Sequence, residues 1–239
     1  MLNTNFPKVP PSQKYMKTNN YHVEFDLDFK RNPYKGKLIA IEGIDGSGKT
    51  TQAQELKKYF KKNGNGTFFT KNPTDGEIGK FIRQILRGQK HFSPISFQYL
   101  FVADRAYQQS EISEHLKNGH MAITDRYFWS SVAYGAQDRN IDFSKGNGEV
   151  LLSSFGILST YYQFIVPDMT FYLKISPETA LERISKERDS KDIYDQKSKL
   201  VNIAKGYEWL INKFPEEFTV INGERPIDQI TKEILSKLK

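Results

Sequence analysis

A glycine-rich stretch in the first quarter of the chain constrains the fold more than any other feature. Residues 43–50, Gly-Ile-Asp-Gly-Ser-Gly-Lys-Thr, fit the pattern G-x-x-x-x-G-K-[ST] at every fixed position. The apolar run 38–41 precedes this stretch and a helical pattern at 51–60 follows it. Strand, glycine-rich loop and helix, in that order, form the setting in which such a loop binds phosphate. The sequence therefore predicts an α/β fold that binds a nucleoside triphosphate.

The loop also suggests a role for individual residues. Its glycines let backbone N–H groups approach a phosphate, and the helix N-terminus adds partial positive charge. Lys49 is predicted to reach the outer phosphates, and Thr50 to offer its hydroxyl to Mg²⁺. The predicted nucleotide-binding residues are Gly43, Ile44, Asp45, Gly46, Ser47, Gly48, Lys49, Thr50 and Thr51.

Composition narrows the class of protein. A chain of 239 residues is long enough for one domain with its own core. It has no cysteine, which excludes disulfides, thiolate zinc sites and cysteine nucleophiles and suits a cytoplasmic protein. The first residues show no signal peptide, and the uncharged stretch 150–167 is too polar for a membrane span, so no membrane association is expected.

The net charge of +7 allows two interpretations. One is a nucleic-acid-binding surface, and the other is a solvated surface with a site for a polyanionic nucleotide. Because the lysines are scattered along the chain rather than gathered in one block, we favour the second interpretation.

Five short segments are typical of strands, and longer helical patterns separate them. This alternation predicts a parallel sheet with helices on both faces. In such sheets ligands bind beyond the carboxyl ends of the strands. Gly43, Pro73, Asp125 and Arg126 lie at or just past three of these ends, which predicts one shared site. The predicted strands are 37–42, 66–70, 121–125, 169–175 and 218–221.

The first 36 residues form an extension with two parts. Residues 1–20 are polar and contain two adjacent prolines, so we expect them to be mobile. Residues 21–29 alternate strictly between polar and apolar side chains, as in a half-buried strand. They are predicted to add a strand, either beside the first core strand or in a subunit contact.

Further motifs specify the family. The first is Asn-Pro-Thr-Asp-Gly at 72–76, followed by Arg83, and the second is Phe-Val-Ala-Asp-Arg at 101–105. The third is Asp-Arg-Tyr at 125–127 with the helix through Tyr134, and the fourth is Pro-Asp-Met-Thr-Phe-Tyr-Leu at 167–173. In this order and spacing they closely resemble the thymidylate kinase family, from about residue 37 to the C-terminus. The resemblance implies a three-layer α/β/α sandwich with a five-stranded parallel sheet and a helical lid at about 183–195. It also implies transfer of the ATP γ-phosphoryl group to dTMP, with ATP and Mg²⁺ as cofactors, in a homodimer built from helices.

The acceptor phosphate would need cations beside the γ-phosphate of ATP. Arg83, Arg105 and Arg126 lie on three segments that are predicted to converge, and arginine meets phosphate oxygens bidentately. Phe101 lies one helical turn before Arg105, and by resemblance it stacks on the thymine ring. The resemblance adds Pro73, Ser130, Ser131 and Tyr134 to the substrate-binding residues.

The remaining roles also rest on the resemblance. Asp125 ends an apolar strand and is expected to position Mg²⁺ together with Thr50. Asp45 is expected to contact the acceptor side or to position Arg126. Because Gly46 stands where some family members carry a basic residue, the lid is expected to supply a catalytic cation, either Arg188 or Arg183.

The chain departs from the family at two places on the acceptor side. Asn72 stands where many members have a glutamate, and Gly135 where many have a Gln or Thr that contacts the thymine edge. Two alternatives therefore stay open: a kinase of another nucleoside monophosphate or of a deoxynucleoside, and a non-catalytic protein that binds nucleotide or nucleic acid.

Overall fold

The computed structural model describes residues 26–138, 141, 143, 148–186 and 193–238. Within these ranges the chain alternates strands and helices. The strands are β1 (Lys37–Glu42), β2 (Thr67–Lys71), β3 (Met121–Asp125), β4 (Met169–Lys174) and β5 (Thr219–Asn222). The helices are α1 (Lys49–Lys62), α2 (Glu77–Leu86), α3 (Pro94–Lys117), α4 (Phe128–Asp138), α5 (Gly148–Leu158), α6 (Pro177–Ser185), α7 (Ile193–Lys213) and α8 (Ile227–Lys237).

The strands form one parallel sheet in the order β2-β3-β1-β4-β5. Each of the five lies within one residue of its predicted bounds, and the predicted fold class is confirmed. The strands were recognisable because parallel strands are covered on both faces and therefore read as short apolar runs.

Alternation along β1 divides the core into two layers. Ile39 and Ile41 face α1 and α8, where Leu56, Phe60 and Ile234 meet them. Leu38 and Ala40 face the opposite layer, which contains side chains of α3, α4 and α7. Because side chains alternate at a period of two, Glu42 continues this second face. The last residue of β1 thus carries a carboxylate into an otherwise apolar layer.

The strand register brings three carboxyl ends to one edge of the sheet. Ile41 pairs with Asp125 of β3, and Lys71 of β2 pairs with the same residue. On the other side of β1, Glu42 pairs with Tyr172 of β4. The segments that follow β1, β2 and β3 therefore begin side by side, as the sequence predicted.

Residues 26–36, which we term the N-terminal strap, lie across the opposite end of the sheet. The amide of Val166 donates to the carbonyl oxygen of Lys30 at 2.9 Å, and Lys30 forms an isolated bridge with Ile165. Phe29 packs its ring against Phe128, Trp129 and Phe214, at centroid distances of 6.2, 5.3 and 5.6 Å. The strap thereby joins the start of α4 to the end of α7.

Two predicted segments lie partly outside the described residues. Residues 26–29 belong to no strand, and the rest of the predicted N-terminal strand and of the predicted mobile segment falls outside the described ranges. The predicted lid at 183–195 includes the end of α6 and the start of α7, and residues 187–192 between them are likewise outside. Among the described helices, none combines the length and the apolar character that crossing a membrane requires.

The strap is expected to stabilise the domain through Phe29 rather than through its charges. Phe29→Ala removes a ring that packs on three aromatic side chains, so the free energy of unfolding should fall by about 2–4 kcal/mol. Urea unfolding measures the loss. The matched control is Phe92→Ala, because that ring is 44% exposed and should cost less. Equal losses in the two variants would show that the strap does not support the core.

Candidate nucleotide and acceptor site

The loop between β1 and α1 has the backbone of an anion-binding turn. Gly43, Gly46 and Gly48 have φ values of 151°, 77° and 89°, which side chains disfavour. A Cβ on Gly43 would lie 2.5 Å from Ser47 Oγ, and one on Gly46 would lie 2.7 Å from the carbonyl oxygen of Ala180. No side chain caps the first turn of α1. The N–H groups of that turn are therefore available to an anion.

Lys49 lies folded against the loop. Its Nζ donates to the carbonyl oxygen of Ile44 at 2.7 Å, and the side chain is buried. Burial, with the nearby Arg126 as a second cause, lowers the pKa of Lys49 to about 8. Such a cation is poorly compensated by the protein alone, so a phosphate group would satisfy it.

Asp125 and Thr50 form a pair of oxygen ligands at the strand edge. The Thr50 hydroxyl donates to Asp125 Oδ2, while Oδ1 is buried and has no hydrogen-bond partner among the described residues. A hydroxyl and a carboxylate are hard ligands of the kind that Mg²⁺ prefers, and this ion usually takes few protein ligands beside phosphates and waters. The described residues contain no cluster of three or more His, Asp or Glu side chains with metal-binding geometry. The pair therefore fits a nucleotide-bound Mg²⁺ better than a closed protein cage.

Arg126 follows β3 and faces the loop. Its φ of 70° is unusual for a residue with a side chain. A hydrogen bond that the Arg126 amide donates to the Ile41 carbonyl oxygen at 3.0 Å holds this conformation. The guanidinium pairs with Asp45 and lies over the ring of Tyr134, 4.7 Å from its centroid. Asp45 thus contacts Arg126, one of the two roles that the sequence suggested for it.

Glu42 holds the backbone that follows Arg126 through buried hydrogen bonds. Its carboxylate accepts from the Tyr127 amide at 2.7 Å, from Ser130 Oγ at 2.5 Å and from the Tyr207 hydroxyl at 2.8 Å. Burial raises the pKa of Glu42, although these three hydrogen bonds favour its charged form. A single carboxylate therefore fixes the residue after Arg126, the first turn of α4 and the middle of α7.

A cavity of about 1300 Å³ opens above the loop. Arg183 reaches its edge from α6 and donates to the carbonyl oxygens of Gly46 at 3.3 Å and of Gly223 at 3.1 Å. The predicted residues that line the cavity are Asp45, Gly46, Ser47, Gly48, Lys49, Thr50, Thr51, Asp125, Arg126, Tyr134 and Arg183. The structure thus brings the loop, the third strand end and one lid arginine to one space.

Other predicted residues lie beside this cavity rather than in its lining. Arg83 donates to the Pro73 carbonyl oxygen at 2.9 Å and lies 3.4 Å from Asp75. Arg105 is fully buried, with hydrogen bonds to Asn72, Ser131 and Tyr161. Its guanidinium lies 5.4 Å from the ring centroid of Phe101. The three arginines therefore do not share one lining, because Arg105 is held by neutral side chains behind α4.

Two further predictions have different outcomes. Ser130 points to Glu42 and Tyr207 instead of the cavity, because it lies on the inner face of the first turn of α4. Its hydroxyl supports the site without lining it. Arg188 lies outside the described residues.

Sequence reasoning missed the buried polar contacts that hold these segments. Asp104 accepts from the Thr74 amide at 2.9 Å and from its hydroxyl at 2.6 Å, which fixes the loop after Pro73 to α3. Glu42 and Tyr207 were missed as well. For Glu42 a signal existed, since a charged residue that ends an apolar strand must find partners when it is buried. For Tyr207 the sequence offered no signal, because its partner lies 165 positions away.

The fold and the loop define a class of protein: a P-loop nucleotide-binding protein of the parallel α/β type. Comparison with known proteins specifies the family. The family model described as thymidylate kinase matches residues 41–234. This match covers more than four fifths of the chain, which therefore belongs to the thymidylate kinase family.

Individual relatives are similar along nearly their whole length. A probable thymidylate kinase of Methanococcus aeolicus is 38% identical over 209 residues, which cover 84% of this chain and 95% of the relative. A thymidylate kinase of Thermoanaerobacter sp. is 32% identical over 213 residues, covering 86% and 98%. A probable thymidylate kinase of Pyrococcus horikoshii is 35% identical over 212 residues, covering 86% and 97%.

The buried carboxylate of Glu42 should make stability depend on pH in a defined direction. Its pKa in the folded chain is raised above the ordinary 4.5, so the unfolded chain loses this proton first as pH rises. This residue alone therefore lowers the free energy of unfolding as pH rises above about 4.5. Glu42→Gln cannot ionise, so its unfolding free energy relative to the unmodified chain should increase between pH 4.5 and 7.

Urea unfolding at a series of pH values measures this difference, whose slope is at most about 1.4 kcal/mol per pH unit. Glu111→Gln is the control, because that side chain is exposed in the folded chain and in the unfolded chain alike. Parallel stability curves for Glu42→Gln and the unmodified chain would contradict the assignment.

Proposed function

We propose that this protein transfers the γ-phosphoryl group of ATP to dTMP, giving dTDP and ADP for nucleotide biosynthesis. The observation that carries the proposal is that Lys49 and Arg126 border one cavity in a chain that the thymidylate kinase model matches over residues 41–234. The names of the relatives support the same reaction. A cysteine-free chain needs no oxidising compartment, which supports a cytoplasmic location.

The donor end of the site would hold ATP. The loop amides and Lys49 would bind its outer phosphates, as the geometry of the loop and the lowered pKa of the buried cation favour. Arg183 already spans the gap between Gly46 and Gly223, so it would border the nucleoside portion or close on the phosphates. The other lid candidate is Arg188, which lies outside the described residues.

Thr50 and Asp125 would hold the Mg²⁺ that accompanies ATP. The unpartnered Oδ1 of Asp125 supports this assignment, because a buried carboxylate oxygen without a donor is costly unless a cation or water meets it. The ion would offset negative charge on the phosphate oxygens. Lys49 and Arg126 supply the protein's own positive charge at the same place.

The acceptor side would lie beyond Arg126. Its guanidinium is held by Asp45 and by the Tyr134 ring, so it is oriented before any substrate binds. The acceptor phosphate would replace or share the contact with Asp45. Pro73, Arg83 and Phe101 would contact the acceptor nucleotide. The enclosed Arg105, bonded to Ser131, would position the Phe101 ring from behind.

The chemical step needs little beyond position and charge. An ionised oxygen of the acceptor phosphate forms a bond to the γ-phosphorus, and the bond from that phosphorus to the bridging oxygen of ADP breaks. No proton has to be removed from the acceptor, so no general base is required. Arg126 and Lys49 are fixed cations that act where negative charge is shared between the two nucleotides.

The acceptor identity has a direct test. Steady-state turnover is measured with dTMP, dUMP, dCMP, dGMP, dAMP and thymidine, with ATP and Mg²⁺ present. We expect dTMP to have the highest kcat/KM. Lys49→Ala serves as the inactive reference. It should keep the fold, as measured by circular dichroism, and lower kcat by roughly a thousandfold, because one phosphate-binding cation is lost.

Each alternative predicts another result. Preference for dGMP or free thymidine would identify a different kinase on the same fold. Binding of ATP or DNA without ADP release in the presence of dTMP would identify a non-catalytic binding protein.

We also propose a homodimer. Five exposed side chains form an uncharged stripe along the outer face of α3: Ile95, Tyr99, Ala103, Ala106 and Tyr107. Their spacing follows the helical period, so they lie on one side of the helix. A contiguous apolar stripe of this kind favours association, and the stripe belongs to the helix that carries Phe101.

The stripe gives a specific prediction for assembly. Sedimentation equilibrium should give about twice the 27.7 kDa of the chain. Tyr99→Glu introduces a charge into the middle of the stripe and should shift the equilibrium to the monomer. Tyr59→Glu, at another exposed tyrosine on α1, should leave the dimer intact. A monomeric unmodified chain, or equal effects of the two variants, would overturn the proposal.

A further inference from the structure

A cluster of buried polar side chains lies between α3, α4 and the turn after α5. It consists of Gln98, Arg105, Ser131 and Tyr161, none of which is more than 7% exposed. The Tyr161 hydroxyl joins them: Gln98 Nε2 lies 3.4 Å from it, Arg105 3.1 Å and Ser131 Oγ 2.8 Å. Polar groups in such a position cost free energy unless they hydrogen-bond well. A member of the cluster whose hydrogen bonds are incomplete can therefore take a further bond from a bound ligand.

Gln98 is the poorly satisfied member of this cluster. Among the described residues it makes a single hydrogen bond, the long one to Tyr161, and its Oε1 receives none. A carboxamide can donate two hydrogen bonds and accept two. By contrast, Arg105 bonds to Asn72 as well as to Ser131 and Tyr161. The amide of Gln98 therefore keeps most of its capacity for another partner.

Gly135 explains why the amide has this position. Gly135 lies one turn after Ser131 on α4, and a Cβ built on it would lie only 2.7 Å from Gln98 Oε1 and 3.0 Å from Ile157 Cδ1. The side chain of Gln98 thus occupies the room into which a side chain at 135 would extend. A side chain at position 135 would therefore have to displace the Gln98 amide, and in this chain the amide is the one on α3.

Gln98 shares the inner face of α3 with Phe101 and Arg105. Spacings of three and seven residues bring the three side chains to one side of the helix. The guanidinium of Arg105 lies 5.4 Å from the ring centroid of Phe101, and Phe101 offers a flat face on which a base can stack. A base on Phe101 would turn an edge towards the same wall.

We propose that Gln98 is a specificity-determining residue that reads the edge of the acceptor base from α3, in place of a side chain at position 135. The inference rests on the proposed function. Thymine has a ring N–H beside a carbonyl oxygen on this edge, and a carboxamide complements the pair: Oε1 accepts from N3–H while Nε2 donates to O4. The base class is therefore one with adjacent N–H and carbonyl groups.

The first test changes Gln98 while keeping its volume. Gln98→Met fills the same space without the amide, so it should raise KM for dTMP about tenfold to fiftyfold and leave KM for ATP and kcat nearly unchanged. Gln98→Ala should act similarly. Gln89→Ala, at an exposed glutamine, is the matched control and should behave as the unmodified protein.

A modified acceptor separates base recognition from a general packing effect. The N3-methyl analogue of dTMP lacks the N–H that Gln98 Oε1 would accept. The unmodified protein should discriminate against it about tenfold or more, and Gln98→Ala less than about threefold. A packing defect would weaken both acceptors equally, so unchanged discrimination in Gln98→Ala would overturn the inference.

Reciprocal substitution tests the shared space. Gly135→Gln alone should weaken dTMP binding, because its Cβ would meet the Gln98 amide. The double variant Gln98→Ala with Gly135→Gln should return KM for dTMP to within about threefold of the original value, a gain that additive effects cannot give. If the double variant does not regain dTMP binding, an amide at position 135 cannot replace that of Gln98, which would contradict the inference.

Calorimetric binding of dTMP in the absence of ATP distinguishes the two proposals. If the unmodified protein binds and phosphorylates dTMP while Gln98→Met does so with unchanged KM, the inference about Gln98 falls and the proposed function stands. If the unmodified protein neither binds nor phosphorylates dTMP, both fall. Thermal unfolding of each variant shows that the comparison is between folded proteins.

Discussion

The central position of β1 is the constraint on which the rest of the structure depends. This strand is hydrogen-bonded to β3 on one side and β4 on the other, and both of its faces are covered by helices. Its carboxyl end therefore cannot move independently of either neighbour. The phosphate-binding loop leaves from that end, so its backbone begins from a fixed point. Asp125 and the Lys71–Asn72 segment are placed against the same point by the register of β3 and β2.

Buried polar groups then fix what the sheet alone leaves free. Glu42 holds the segment after Arg126 and α7, and Asp104 holds the segment after Pro73. A neutral network behind α4 holds Arg105. Each such group is costly when unsatisfied, so it strongly favours the one arrangement in which its partners are present. Site geometry in this protein is consequently set as much by polar contacts beneath the cavity as by the residues that line it.

The predictable part of the fold came from signals that act over short distances. The five strands were visible as apolar runs, the loop as a spaced set of glycines with Lys49 and Thr50, and the shared edge followed from the direction of parallel strands. The positions of Ser130 and Arg105 were less predictable. Ser130 differs from its neighbour Ser131 only by one position on α4, yet one turns to Glu42 and the other to Tyr161. A rotation of about 100° per helical residue decides between them, and sequence spacing alone did not fix which face met which neighbour.

By itself the sequence determined the fold class, the nucleotide-binding loop and the family, because these depend on local patterns and on motifs with fixed spacing. Only the tertiary structure decided which of the predicted arginines line the cavity with Lys49. Arg126 and Arg183 do so, whereas Arg105 is enclosed, and Gln98 fills the room above Gly135. The physical reason is distance along the chain. Arg126 meets Asp45 across 81 positions and Glu42 meets Tyr207 across 165, so these contacts exist only after the sheet has brought separate segments together.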